Sequence, residues 1–414
     1  MRSNAGRGRE PIEPLSRPWA LPLAVTLAIQ TLVAFAMYCA PVMAPVAARD
    51  LNVHPSAIGW FIATAYLGSM IGSVTAGGWV ARFGPIRVSQ LGLALCLGGM
   101  ALAAATSLLP LVALGAFVIG LGYGPATPAS SQILVRAAPP SMFSLTFSIK
   151  QSGVPAGGAI AGVLVPALIL LLGWRASALA IGLACFALAL AIEPVRARYD
   201  RDLDPRAPVS VTAAFAPVAL VLREPGLREM ALTSFVYGGV QITLVTYLVT
   251  FLTESFAMTL VFAGLVMAVS QVASVAGRVL WGVLADRLFS RRAMLGLLGL
   301  GMGVSALATL AAEPGWPPWL LLLFAAWFGA TAVGWNGVFL AEVAHIAPAG
   351  RISAATGGCL FFTFLGVVVT PPAFNAALSL AGSYAVAYAA FGVPALATGA
   401  WLLASRRVPT GHAN

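Results

Sequence analysis

The sequence predicts an all-α membrane protein with twelve transmembrane helices, arranged as two pseudo-symmetric six-helix bundles. Two observations lead to this fold class. Apolar residues make up 60% of the chain and charged residues only 9%, whereas about 25% of a soluble protein is charged. The apolar residues also fall into long runs between short basic segments, and one span of the hydrocarbon core needs about 20 such residues.

Twelve apolar runs reach the length of a span. In chain order the predicted spans are 19–41, 56–81, 86–107, 110–135, 142–170, 174–192, 228–253, 259–285, 292–312, 317–346, 352–380 and 383–405. The first run follows a polar tail and lacks a clean cleavage site, so we interpret it as a helix and not as a signal peptide.

The longest polar interruption, 193–227, separates six spans from six. The predicted organisation is therefore a disordered basic tail (1–18), an N-terminal six-helix bundle (19–192), a central cytoplasmic loop (193–227), a C-terminal six-helix bundle (228–405) and a C-terminal tail (406–414).

The basic residues predict the orientation. With both termini in the cytoplasm, nineteen of the 23 basic residues lie on the cytoplasmic side, and only Arg49 and Arg175 lie outside. Arginine and lysine are enriched in cytoplasmic loops of membrane proteins. We expect a multi-pass protein of the cell inner (plasma) membrane that is a monomer in the lipid bilayer.

Composition also excludes several classes of function. The net charge of +10 lies in short clusters between spans, which argues against a nucleic-acid partner. The four cysteines all lie in apolar runs and have no metal-binding spacing,. We find no nucleophile–base pair and no phosphate-binding glycine loop, so we expect neither an enzyme nor a cofactor or metal.

Two cations remain inside the spans, Lys150 and Arg278. A charge in the hydrocarbon region is costly, and its default interpretation is functional. At about 1.5 Å of rise per residue, Arg278 lies about 12 Å and Lys150 about 14 Å from the cytoplasmic end. Both are near the midplane of a core about 30 Å thick.

No Asp or Glu lies near that level to neutralise the two cations. An unpaired buried cation is unfavourable, so the simplest partner is an anionic small-molecule substrate. Amides and aromatic residues at similar depth complete the predicted substrate-binding set: Arg278, Lys150, Gln30, Tyr123, Tyr237, Gln241, Trp335 and Asn336.

The second helix of each half carries related sequences, GSVTAGGWVAR (72–82) and GRVLWGVLADR (277–287). The second copy continues as G-x-x-x-D-R-x-x-x-R-R (282–292), which resembles the signature of the major facilitator superfamily. In the first copy Ala81 replaces the acid, which implies a weakened gate there. The resemblance implies cytoplasmic gate elements, and we add a salt bridge between Glu342 and Arg351 to them. The predicted gating residues are Gly77, Arg82, Gly84, Arg87, Gly282, Asp286, Arg287, Glu342 and Arg351.

An arginine in the eighth helix is similar to what monocarboxylate transporters and the oxalate/formate antiporter carry. The similarity extends to Arg278 only, because Lys150 lies in the fifth helix and not in the eleventh. Two structural interpretations stay open: Arg278 could brace helix packing, and Lys150 could be neutral or reach the interface.

Three functions follow from these observations. The first is secondary transport of a small organic anion, a mono- or dicarboxylate, by alternating access, either as a symporter with protons or as an antiporter. The second is export of amphipathic drugs or metabolites, which predicts a large apolar cavity and tolerance of Arg278→Ala. The third is a transporter-like sensor that signals through residues 193–227.

Overall fold

The computed structural model of the protein describes residues 19–137, 143–201, 203–207, 209, 215–348 and 351–405. The predicted tails, 1–18 and 406–414, lie outside the described residues. Within those ranges the regular structure is helical throughout, as the sequence predicts.

The α-helices of the described ranges are α1 (Ala20–Asp50), α2 (Ile58–Phe83), α3 (Pro85–Ala105), α4 (Leu109–Tyr123), α5 (Ala126–Ala137), α6 (Phe143–Gln151), α7 (Gly153–Ala191), α8 (Glu193–Tyr199), α9 (Phe215–Arg223), α10 (Pro225–Ser255), α11 (Leu260–Arg287), α12 (Arg291–Ala308), α13 (Pro318–Ala332), α14 (Asn336–Ile346), α15 (Ile352–Ala381) and α16 (Tyr384–Ala404).

By length and composition, the described residues contain eleven helices that could cross a membrane. The longest, Ile149–Ala191, has 43 residues and covers the predicted fifth and sixth spans. Gly173 breaks the helical path there with φ 75° and ψ 164°, a conformation that favours glycine. Large side chains on its surface, such as Leu170 and Leu171, are 73% and 79% exposed, as expected of a surface that faces lipid.

The predicted end of the first span is wrong, and the predicted central loop contains helices. The first span was expected to end at residue 41, but α1 continues through Pro41 and Pro45 to Asp50. A proline removes one helical hydrogen bond, and here the residues around both prolines are buried in the core. The segment 193–227 is not only a loop, because α8, α9 and the start of α10 lie within it.

α7 of the first half of the chain packs closely against α11 of the second half. A Cβ added to Gly162 would lie 2.3 Å from the backbone oxygen of Gly264, and one added to Gly264 would lie 2.2 Å from that of Gly162. Small residues allow such close approach of membrane helices. This contact holds the fifth and eighth predicted spans together, and both candidate cations lie beyond it towards the end of the molecule that carries Arg82 and Arg287, which we call the arginine-rich end.

Candidate functional site

The site is built at interruptions in the helices. α6 ends at Gln151 and α7 begins at Gly153. Pro155 has no N–H to donate to the carbonyl four residues earlier, so the Gln151 carbonyl has no intrahelical partner. A second interruption separates α13 from α14 at residues 333–335, and it presents the carbonyl of Val333.

Arg278 of α11 reaches both of these carbonyls. Its two terminal nitrogens donate to the backbone oxygens of Gln151 and Val333, each over 3.4 Å. Its Nε atom is buried and has no hydrogen-bond partner. A guanidinium has five N–H donors, and two long hydrogen bonds leave most of them unused. The side chain is partly exposed, so the group is positioned to bind something further.

Lys150, in contrast to Arg278, is enclosed, and its amine has hydrogen-bond partners at short distance. The residue is 1% exposed, and its Nζ donates to Gln151 Oε1 over 2.9 Å and to Thr127 Oγ1 over 3.1 Å. Thr127 Oγ1 donates in turn to Gln30 Oε1 over 3.1 Å. No carboxylate of the described residues forms an ion pair with Lys150. Its partners are all neutral.

Gln151 links the two cations, because its side chain accepts from Lys150 while its backbone oxygen accepts from Arg278. Gln151 is not among the site residues predicted from the sequence. The available signal was the proline four residues later, which predicts an unpaired carbonyl at this position.

The predicted amides of the second half lie on the other side of Arg278. Gln241 Oε1 accepts from Trp335 Nε1 over 3.0 Å and from Asn336 Nδ2 over 3.1 Å. Asn336 Nδ2 also donates to the Val333 carbonyl over 3.3 Å. A continuous polar chain therefore runs from Gln241 through Arg278 to Lys150, and it includes six of the eight predicted substrate-binding residues.

The two predicted tyrosines lie outside this chain. Tyr123 packs edge-to-face on Tyr66 at 6.2 Å between ring centroids, and it lies close enough to Arg278 to interact with it electrostatically. Tyr66 in turn places its hydroxyl 3.4 Å from that of Tyr38. Tyr237 donates to the Leu295 carbonyl over 2.9 Å and packs on Trp335, so its contacts are those of a packing residue.

Gln271, one of the buried polar side chains of α11, is a further amide not predicted from the sequence. Its Nε2 atom has no hydrogen-bond partner, and its side chain lies against Gly158 and Tyr38. Two buried nitrogens of α11, Gln271 Nε2 and Arg278 Nε, are thus unpaired on one helix.

In the first copy of the predicted gate motif Ala81 replaces the acid, and a distant residue supplies an acid near this motif. Asp200 accepts hydrogen bonds from the backbone amides of Ile86 and Arg87, over 2.8 and 3.0 Å, at the start of α3. Its carboxyl fills the space at Gly84, where an added Cβ would lie 2.2 Å from Asp200 Cγ and φ is +92°. Burial raises the pKa of Asp200, while the two amides act to lower it. The first motif, predicted to be weakened by Ala81, therefore has a distant acid at Gly84 and at the start of α3.

Glu193 adds a second acid at this end, with oxygens 3.5 Å from Arg87 and 2.7 Å from Arg196. Hydrogen bonding from Gln90, helped by Arg196 and Arg87, holds the pKa of Glu193 below its usual range. A surface cavity of about 430 Å³ is lined by Glu193, Arg87 and Arg196 together with Arg82 and Asp200.

The second gate motif is more open. Asp286 and Arg287 are exposed, and neither forms an ion pair within the described residues. Arg292 pairs with Glu229 and bonds Ser405. An added Cβ at Gly77 or at Gly282 would meet nothing within 4 Å, so both motif glycines face open space.

The predicted pair of Glu342 and Arg351 is not formed in the described structure. Glu342 is 3% exposed, whereas Arg351 is exposed. At the other end of the molecule, His54 Nε2 lies 3.9 Å from Glu254 Oε2, and both border a cavity of about 540 Å³. An added Cβ at Gly59 would lie 1.9 Å from the Tyr247 hydroxyl, so the two halves are in close contact at that end.

A family model and a curated relative each match most of the chain. A model of the Major Facilitator Superfamily matches residues 26–371, with a second match over 230–414. A protein of Cupriavidus necator described as "Probable sulfoacetate transporter SauU" is 28% identical over 400 residues, which cover 86% of this chain and 87% of that protein.

Solved structures share the fold at low identity. The peptide transporter POT in complex with sulfate has a TM-score of 0.75 at 15% identity, covering 94% of this chain and 96% of that one. A mutant of the nucleoside transporter NupG has a TM-score of 0.74 at 14% identity, covering 92% and 99%. A D-xylose-proton symporter has a TM-score of 0.69 at 16% identity, covering 93% and 97%.

Proposed function

Because this chain belongs to the Major Facilitator Superfamily, we propose that it is a secondary transporter that moves a small organic anion across the membrane by alternating access. The anion carries a carboxylate or a sulfonate group. The family and the transporters among the relatives point to a transporter and not to an enzyme.

The incomplete bonding of Arg278 carries the proposal. Its guanidinium is permanently charged, has only two long hydrogen bonds and leaves Nε unpaired. A planar guanidinium binds a carboxylate or sulfonate through two parallel hydrogen bonds. An anion at this position would supply the charge and the acceptors that Arg278 lacks.

The relative described as a sulfoacetate transporter supports the same class of substrate. Sulfoacetate has a carboxylate and a sulfonate separated by one carbon, which makes it a compact organic anion. For this chain we extend the predicted class from mono- and dicarboxylates to small sulfonates. Gln241, Trp335 and Asn336 form the polar wall beside Arg278, and we assign to them the orientation of the rest of the molecule.

The membrane arrangement belongs to the proposal as well. The break at Gly173 supports two spans within Ile149–Ala191 and hence twelve in all, in bundles 19–192 and 228–405. The excess of arginine at one end supports a cytoplasmic position for that end and for both termini, with the monomer in the inner membrane.

Alternating access gives the gate residues their role. In this structure the halves meet at the end that carries Gly59 and Tyr247, while Gly77 and Gly282 face open space. We propose that the arginine-rich end closes in the other state, with a helix of the opposite half packed on each motif glycine. Glu342 and Arg351 are proposed to approach each other in that state.

The first test is ligand-dependent thermal stability of the purified protein. The panel comprises sulfoacetate, acetate, malonate, glucose and an apolar cation. A ligand at 100 times its dissociation constant stabilises the folded state by about 2.7 kcal/mol. We expect stabilisation by one or more of the anions, and its loss in Arg278→Ala.

The matched control is Arg49→Ala, which removes an exposed arginine in the last turn of α1. This variant should respond as the unaltered protein does. Stabilisation by the apolar cation alone, or an unchanged anion response in Arg278→Ala, would favour the exporter function instead.

A further inference from the structure

We propose that Lys150 carries the proton that couples transport to the proton gradient: its amine is neutral in the empty transporter and takes up one proton when the anion binds at Arg278. This inference rests on the proposed function, because it assigns an energy source to the same site.

The hydrogen bonds around Lys150 match a neutral amine. An ammonium group has three N–H donors, and a neutral amine has two. The structure provides two acceptors for Nζ, Thr127 Oγ1 and Gln151 Oε1. With the side chain 1% exposed, a third N–H would have no partner among the described residues, and an unpaired buried donor on a charged group is unfavourable.

The charges around Lys150 act in the same direction. The helices packed against α6 are α1, α5 and α7. Within the described residues, their ionisable side chains are Tyr38, Cys39, Arg49 and Asp50 of α1, Arg136 of α5, and Arg175 and Cys185 of α7. The one acid among them, Asp50, is paired with Arg175 and bonded by Trp174. From α11, Arg278 faces the same Gln151, and a neighbouring cation disfavours a second positive charge.

Binding of an anion reverses this balance. A negative charge at Arg278 cancels the field of the guanidinium and favours protonation of a nearby amine. Gln151 connects the two cations, since its side chain accepts a hydrogen bond from Lys150 and its backbone carbonyl accepts one from Arg278. When the anion takes over N–H groups of Arg278, the Gln151 carbonyl loses its donor, and the segment that carries Lys150 is released from that contact.

The charge of the moving site also fits this scheme for a monoanion. The empty site carries the Arg278 cation and a neutral lysine. The loaded site carries two cations and one anion, so its net charge is the same. The transporter therefore crosses the membrane potential with equal charge in both directions, and the net process is uptake of an anion with a proton. A dianion with one proton would instead carry one net negative charge.

The experiment measures protons taken up on binding. Purified protein in weak buffer with a pH indicator is mixed with sulfoacetate or acetate, whose acidic groups are ionised throughout pH 6–9. The unaltered protein should absorb about one proton per bound anion at a pH where its lysine is neutral. Its dissociation constant should rise about tenfold per pH unit at the alkaline end of the range.

Two variants fix the charge of residue 150. Lys150→Arg keeps a cation at every pH, and Lys150→Met removes it. Both should bind the anion with no proton uptake and with a dissociation constant that does not change with pH. Anion exchange across liposomes should persist in Lys150→Arg, whereas accumulation driven by a pH gradient should be lost. A purely structural role would not remove the proton signal and leave exchange intact.

Two results would overturn the inference. One is anion binding by the unaltered protein with no proton uptake and no pH dependence, which needs no variant and leaves the proposed function standing. The other is normal proton uptake in Lys150→Met, and loss of that uptake in Glu342→Gln would then assign the proton to the carboxyl of Glu342. Absence of any anion binding would contradict the proposed function itself.

Discussion

Arg278 and Lys150 are predicted to lie at similar depths, yet the structure surrounds them with opposite bonding. Arg278 is partly exposed, with two long hydrogen bonds and an unpaired Nε. Lys150 is fully enclosed, with as many acceptors as a neutral amine has N–H groups. In our proposal an unused donor, and not depth alone, distinguishes the cation that binds substrate from the one that exchanges a proton.

The largest effects are expected when each cation is replaced by the other type, in Arg278→Lys and in Lys150→Arg. Arg278→Lys should weaken anion binding about 100-fold or more, since it removes the two-pronged contact, and each hydrogen bond to a charged group contributes about 1.5–3 kcal/mol. Lys150→Arg should weaken binding by less than about tenfold. Titration calorimetry with sulfoacetate measures both, and equal losses would mean that the two cations have the same role.

A gate variant separates movement from binding. Gly282→Ala meets nothing within 4 Å in this structure, and alanine favours a helix by about 1 kcal/mol over glycine. The variant should therefore be at least as stable as the unaltered protein and bind the anion equally well. Transport should fall about tenfold, because the added methyl group would obstruct close packing in the other state. Equal transport rates in the variant and the unaltered protein would remove Gly282 from the gate.

The shared residue Gln151 can be tested through its proline. Pro155→Ala restores an N–H that can bond the Gln151 carbonyl and so competes with Arg278 for it. We expect anion affinity to change by about three- to tenfold, which corresponds to one hydrogen bond of about 1 kcal/mol. Pro394→Ala, within α16, is the matched control and should leave affinity unchanged. The same shift in both variants would point to a general effect of helix stiffness.

The smallest effect is expected at Arg87, an arginine that already has an acid partner. Its contact with Glu193 is exposed on both sides, and such pairs contribute about 0–1 kcal/mol. Arg87→Gln should change anion affinity less than about twofold in the same calorimetric titration. A larger loss would mean that the anion also binds at the arginine-rich end.

The pH dependence expected from Glu193 lies in a different range from that proposed for Lys150. Because its pKa is lowered in the folded protein, its stabilising effect is present above the pKa of the unfolded chain and is lost as the pH falls through the lower folded value. Both values lie in the acid range, so thermal stability from this pair should not vary between pH 6 and 8. A pH-dependent anion affinity in that interval must then have another origin.

Much of this account was available from the sequence, for identifiable reasons. Charges inside apolar runs are conspicuous, so Arg278 and Lys150 could be recognised from composition alone. The amides Gln30, Gln241 and Asn336 were expected from depth, and the structure brings all three into one polar chain. Their function as substrate-binding residues stays a prediction.

Other features depended on contacts between distant residues. Asp200 meets the start of α3 from more than 100 positions away, so the missing acid at Ala81 gave no indication of it. The roles of Gln151 and Thr127 depend on the side-chain positions at the end of α6, which a count of residues per turn does not give. The end of the first span was placed at residue 41, whereas α1 continues to Asp50 with the residues around Pro41 and Pro45 buried in the core.

The most direct measurement of the central claim is exchange of labelled sulfoacetate across liposomes that contain the protein, with and without Arg278→Lys. Exchange needs no coupling energy, so it reports anion binding and the movement of the loaded transporter without any contribution from the proton gradient. We predict rapid, saturable exchange by the unaltered protein and almost none by Arg278→Lys, with Arg49→Ala unchanged. Exchange by Arg278→Lys at the rate of the unaltered protein would contradict the assignment of the anion to Arg278.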